Sequence, residues 1–360
     1  MNTRRVLVTC LAILLVFSLF AACGNNDDAS RSGGAENSST QVGGSSDVRV
    51  VLIVNRNFGD KGPIDSQARG LEVVSAMGLE TKSLESLSPD IFEEDIRAMA
   101  KAGYDLIITS FPMVSEAAVA VAKDYPEKSF VGIYEFVNAG DSKIPNFWSV
   151  EYRLQELMYV VGAYHAKMTT SKKVGIITGE ETISSYSEVN GFVDGVIETD
   201  PNCTVEVAFA NSYGDPAKGK EIALAMISRG IDSICLLAGA TSMGAIDACE
   251  ENGIHCTGDN GDFSDRGPAT LTTSANADFG LAVQLSAIDY MQGTFRGGEH
   301  TTMSLFEDGV YVDWDEALRF IERNPDKAGP VTAAMEYARS IETMIKSGEL
   351  KVAYRGERPQ

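Results

Sequence analysis

Short apolar runs alternate with longer amphipathic ones along most of the chain. Val48–Val54, broken only by Arg49, is β-branched and strand-length, the pattern of a strand buried on both faces. A polar loop from Asn55 to Pro63 follows. A helix is expected next, entered near Asp65-Ser66 with Asp65 as N-cap and clearest over Ala68–Met77. Strand patterns recur at Glu80–Leu84, Asp105–Thr109, Ser129–Tyr134 and Asn146–Val150, and helical ones at Asp90–Lys101, Ser115–Asp124 and Tyr152–Met168. The alternation restarts at Lys173–Ile177 and continues through strands at Thr204–Phe209, Ser233–Leu237, His255–Gly258 and Ala269–Thr273. Between them lie helices at Ser187–Glu198, after the Asp215-Pro216 cap, and from the Gly239–Ser242 turn to Asn252, where Gly253 stops the chain. Ala275–Gln292 reads as a helix returning to the first half, and Ala333–Ile345 as a last helix.

Strict β/α alternation implies parallel sheets with helices on both faces, and the restart implies two doubly wound lobes. The expected division is 47–150 with 263–302 for lobe 1 and 151–262 with 303–360 for lobe 2. Hinge crossings are expected near 149–151, 259–265 and 303–310. Such lobes enclose a cleft that closes on a ligand, lined by the loops beyond the carboxyl ends of the strands.

The first residues lie outside this pattern. Arg4-Arg5 precedes an apolar stretch, Val6–Phe20, and Ala21-Ala22 precede Cys23. This resembles a bacterial lipobox, with Phe20 where Leu is usual. The resemblance implies a signal peptide at 1–22, cleavage before Cys23 and lipid on Cys23. Residues 23–46 are rich in Gly, Ser and Asn and read as a flexible linker. The body is then expected outside the cytoplasm, anchored to the cell membrane by lipid. A net charge of −21 on 360 residues argues against a nucleic-acid partner.

Candidate ligand residues fall on the loops after the strands. Asn55, Phe58 and Asp60 share the first loop, where an aromatic and opposite charges exceed the needs of a connector. Phe111 follows the third strand, Glu135 the fourth. Tyr213 stands among polar neighbours, Gly239 opens a helix, and Asn260 and Asp262 lie near the second crossing. Each has a structural counterpart: Phe111 fits a core as well as a cleft, and Glu135 fits a solvated turn. No Walker-type loop, GxSxG or HExxH occurs, and His165, His255 and His300 are far apart, so no enzyme and no cofactor or metal is expected. Cys203, Cys235, Cys249 and Cys256 remain in the body; for Cys249 and Cys256, a disulfide and two free thiols both stand.

Gly59-Asp60-Lys61 with Asp65-Ser66, YDLIITSF at Tyr104–Phe111, Tyr125-Pro126, and NSYGDPAKGKE at Asn211–Glu221 together resemble the basic membrane lipoprotein (Bmp/Med/PnrA-like) family of ABC-transporter substrate-binding proteins. The resemblance runs from about Val48 to Asp313. It implies a type I periplasmic-binding-protein fold and uptake of nucleosides, often purine nucleosides, with ABC permease and ATPase subunits as partners. Asn55 matches the family's ribose acid, Phe111 and Tyr213 its loop aromatics, and Asn260 and Asp262 its later acids. Pro63 and Ile64 stand where the family has a stacking Phe and an Asn, and Asn276 or Ala277 where nucleoside binders keep a Lys. Phe58 is then the nearest replacement ring. The expected function is a lipid-anchored solute-binding monomer for nucleosides or a related heterocycle. A ligand sensor or surface-interaction lipoprotein of the same fold is the alternative.

Overall fold

The computed structural model describes residues 48–59, 62–134, 136, 138–261 and 265–359. Two six-stranded sheets carry the chain. The first contains β1 (Arg49–Val54), β2 (Glu80–Glu85), β3 (Leu106–Ser110), β4 (Ser129–Ile133), β5 (Phe147–Tyr152) and β11 (His300–Met303), in the order β11-β5-β4-β3-β1-β2 and parallel throughout. The second contains β6 (Lys173–Thr178), β7 (Thr204–Phe209), β8 (Ser233–Leu237), β9 (His255–Asp259), β10 (Leu271–Ala277) and β12 (Val310–Val312), in the order β12-β10-β9-β8-β6-β7. Its edge strand β12 runs antiparallel to β10. The two α/β lobes have the type I periplasmic-binding architecture.

β1 reads RVVLIV, and Val50 to Val54 are fully buried, as a central parallel strand covered on both faces requires. α1 (Pro63–Ala76) lays Ile64, Gln67, Leu71 and Val74 on the core at helical spacing. The helix begins earlier than the sequence suggests. Gly62 is the N-cap and Pro63 opens the first turn, where its fixed φ suits the helix and its missing N–H is no loss. Asp65 is therefore not the cap. Its carboxylate reaches backwards and accepts from the Gly59 N–H at 2.7 Å.

α2 (Phe92–Lys101) and α3 (Pro112–Asp124) complete the first half, and α4 (Leu154–Met168) crosses into the second lobe, where it packs on α5 (Ile183–Thr199). α6 (Pro216–Ser228) is capped by Asp215, whose carboxylate accepts from Lys218 N–H, and α7 (Thr241–Asn252) ends on left-handed Gly253. α8 (Phe279–Met291) returns to pack on α1. Because β10 pairs with β9 through Ala275 and with β12 through Ala277, the second crossing falls at 277–279, later than the expected 259–265. α9 (Trp314–Arg323) was not anticipated, although Asp313 with Glu316 three residues on is a helix-entry signal. α10 (Ala328–Lys346) closes the second lobe against α4.

Cys203, Cys235, Cys249 and Cys256 are free and buried. The Cys256 thiol is pushed well above its usual value, first by a hydrogen bond with Cys249 and then by burial. His165 is fully enclosed, with Nδ1 2.8 Å from Ser233 Oγ and Nε2 2.9 Å from Thr257 Oγ1. It is a satisfied core histidine, and burial lowers its pKa to about 3. Among the described residues no helix is long and apolar enough to cross a membrane.

Candidate functional site

In each sheet the strand order reverses at one place. β1 lies between β2 and β3, and β6 between β7 and β8, so the loops after β1, β3, β6 and β8 diverge and leave a crevice at the strands' carboxyl ends. The backbone there is unusual. Phe111, Tyr134, Asn211 and Asn260 all have positive φ, at +70°, +63°, +54° and +46°. Each follows a strand end. Asn tolerates the left-handed region, but an aromatic residue there stores about 1–3 kcal/mol, a cost that clusters at functional sites.

Two aromatic rings from opposite lobes converge in this crevice. Phe111, after β3, packs against Tyr134 and Phe279 at centroid distances of 6.0 and 6.1 Å. Tyr213 enters from the loop after β7. The guanidinium of Arg56 approaches both, 5.4 Å from the Phe111 centroid and 4.7 Å from the Tyr213 centroid. A flat cation on ring faces is held by their quadrupoles, for about 0.5–2 kcal/mol depending on desolvation. Arg56 thus lies against both of the rings expected to hold a flat ligand.

The Tyr213 loop is firmly seated. Thr241 Oγ1 accepts from the Asp215 N–H at 2.8 Å and donates to Ser212 O at 3.0 Å, and the Thr241 N–H donates to Tyr213 O at 3.2 Å. A Cβ on Gly179 would stand 2.3 Å from the Tyr213 ring, so the ring's seat depends on that glycine. Gly239, at φ +54°, lies against the Tyr213 backbone. The first loop is tied by Glu85, which accepts from the Phe58 N–H at 2.8 Å and Asn57 Nδ2 at 3.0 Å.

Tyr134 joins the lobes across the crevice: its Oη donates to Glu188 Oε1 on α5 at 3.0 Å and also bonds the Ser184 side chain of that helix. Burial, with Asp259 adding to it, pushes the Glu188 carboxyl up to about 7, against the opposing pull of the Tyr134 bond. Burial and then Glu188 raise the Tyr213 phenol to about 12, while Arg56 opposes them.

Of the sequence candidates, Phe111, Tyr213 and Gly239 come together here. Asn55, directly before Arg56, has a buried Oδ1 with no partner. Phe58 is half-buried and packs on the larger core. Asn260 is turned to the hinge: its Oδ1 accepts from the Ala277 N–H at 2.8 Å, and it lines a polar groove of about 250 Å³ with Ser66, Arg69 and Asn276. That groove flanks the hinge, outside the ring slot. Asp60, Glu135, Asp262 and Cys23 lie outside the described residues, as do the signal and linker segments. Sequence reasoning missed Arg56, Gln67, Tyr134, Gly179 and Glu188. Gln67 is fully buried, donates to Ser110 Oγ at 2.8 Å and leaves Oε1 unpartnered. Arg56 stood in the loop already singled out, whereas Glu188 is one polar residue of many on an amphipathic helix.

The sequence profile of the ABC-transporter substrate-binding proteins described as PnrA-like, the Bmp family, matches residues 47–353. The chain belongs to the Bmp family. Basic membrane protein B of Borrelia garinii is 28% identical over 324 residues, spanning 87% of this chain and 90% of the relative. A purine-binding protein of Brucella abortus is 27% identical over 282 residues, 78% of this chain and 75% of that one. A solved solute-binding protein of an Aeropyrum pernix ABC transporter superposes with a TM-score of 0.74 at 21% identity, covering 86% of this chain and 94% of that chain. A Caulobacter myo-inositol-binding protein superposes at 0.59 with 17% identity, covering 77% and 98%. These last two bear on the fold. Within the family pattern, Ile64 is fully buried in the core and Pro63 opens α1. Asn276 folds back, its Nδ2 donating to Ser274 O and Oγ.

Proposed function

We propose that the chain is the extracytoplasmic receptor of an ABC importer, tethered by lipid on Cys23, and that it closes on a flat nitrogen heterocycle of nucleoside type, purine nucleosides first. The observation that carries this reading is the convergence of Phe111 and Tyr213, from opposite lobes, on the guanidinium of Arg56. A flat ligand stacked there gains about 1–3 kcal/mol per aromatic contact. The purine-binding relative supports the purine class. Closure brings Tyr134 to Glu188 across the cleft, so ligand and latch favour the same form. The receptor then acts as a monomer on its permease and ATPase subunits.

The test is a thermal-shift panel on residues 46–360 with guanosine, inosine, adenosine, free bases and sugars. A ligand at 100 times its Kd adds about 2.7 kcal/mol, a clear rise in midpoint. A rise with purine nucleosides that Tyr213→Ala abolishes supports the reading. A rise with sugars and none with heterocycles contradicts it. For the anchor, Cys23→Ser is expected to release the protein from the membrane fraction.

A further inference from the structure

We infer that Arg56 makes the site selective for a negatively charged heterocycle, its guanidinium binding the anionic group while Phe111 and Tyr213 hold the ring. This rests on the ring-slot reading above. Three observations carry it. First, Arg56 is half-buried and its guanidinium carbon lies within 5.4 Å of both ring centroids. Secondly, among the described residues the guanidinium makes ring contacts and no ion pair or hydrogen bond. Ring faces satisfy its charge in part but leave its five in-plane N–H donors open, and that fork matches a carboxylate, a phosphate or an ionised lactam edge. Of the acids that act on Tyr213, Glu188 is engaged by Tyr134, and neither it nor Glu180 forms an ion pair with Arg56.

Thirdly, the surrounding strand ends offer hydrogen-bonding groups with capacity to spare. Gln67 has one end of its carboxamide unpartnered beside Ser110, the residue before Phe111. Asn55 Oδ1 and Thr178 Oγ1, at the ends of β1 and β6, are also buried without partners. Amides and a hydroxyl suit the alternating N–H and C=O edge of an oxopurine or pyrimidine, whichever way the amides are turned. A cationic ligand is disfavoured, because Arg56 already places a positive charge beside both rings.

The charge has two sources, an ionised ring or a phosphate, and the probes separate them: urate, an oxopurine anion at pH 7; inosine 5′-monophosphate; and neutral inosine. Calorimetry on residues 46–360 is run for the wild type, Arg56→Ala and Arg56→Lys, with thermal midpoints confirming that each is folded. One anion is expected to bind at least about tenfold tighter than inosine, since hydrogen bonds to charged groups exceed neutral ones by that order. Urate as the winner assigns the charge to the ring, and the monophosphate assigns it to the phosphate. Arg56→Ala is expected to erase the preference and Arg56→Lys to keep part of it. Inosine binding as tightly as both anions, or a preference that survives Arg56→Ala, overturns the inference. If inosine binding then still depends on Tyr213, the ring slot stands and the charge assignment alone fails. If none of the three binds, both fail.

Discussion

Glu188 offers a quantitative check on the closed cleft. Its carboxyl titrates near 7 in the folded chain against 4.5 for a free glutamate, because burial and Asp259 disfavour the ionised form. A folded-state pKa raised above the unfolded one means that ionisation costs folding free energy. The cost is absent below pH 4.5, grows through the interval and is complete above pH 7. Two and a half units correspond to about 3 kcal/mol at pH 8, and less than about 1 kcal/mol at pH 5. Glu188→Gln keeps an oxygen to accept the Tyr134 hydroxyl and cannot ionise. The variant is therefore expected to be more stable than the wild type by about 2–3 kcal/mol at pH 8 and nearly equal at pH 5. Urea unfolding of residues 46–360 at the two pH values measures this directly. An equal difference at both values, or a variant less stable at pH 8, refutes the enclosed carboxyl and with it the inter-lobe latch.

Other expectations follow from the same contacts. Thr241→Val strands the Asp215 N–H and is expected to cost about 1–3 kcal/mol in unfolding experiments, with Thr241→Ser restoring most of it. Gly179→Ala pushes a methyl into the Tyr213 ring and is expected to weaken heterocycle binding at least about fivefold by calorimetry, the loss of one stacking contact. His165, held at a pKa of about 3, resists protonation in the fold. Its contribution is complete above pH 6.5 and is lost as pH falls toward 3, so His165→Gln should flatten the acid limb of the stability profile. Cys249 and Cys256 are expected to react with a thiol reagent after unfolding and not before, as their burial requires.

The alternation of apolar runs made the two-lobe architecture legible, because parallel strands buried on both faces leave an unbroken apolar signal, as in Val50–Val54. The Asp215-Pro216 and Gly253 punctuation marked true helix ends. The second crossing was misplaced because β10, LTTSANA, is polar: its first residues read as a strand, but nothing in the pattern shows that it runs on to Ala277 or which sheet it joins. In the site, Phe111 and Tyr213 were visible because an aromatic after a strand end is conspicuous. Arg56 was passed over because charge in a loop usually means solvent, and only the fold brings it against two rings from different lobes. Gly179 carries no sequence sign of its task, which is to leave room for a ring 34 residues later in the chain.

The central claim is that Phe111 and Tyr213 hold one ligand from both sides. It is tested most directly by calorimetry of the best ligand from the panel on the wild type, Phe111→Ala, Tyr213→Ala and the double variant. The account predicts losses of about 1–3 kcal/mol for each single variant, roughly 5- to 150-fold in Kd, and a combined loss that departs from their sum because both rings touch one ligand. Unchanged affinity in either single variant would contradict it.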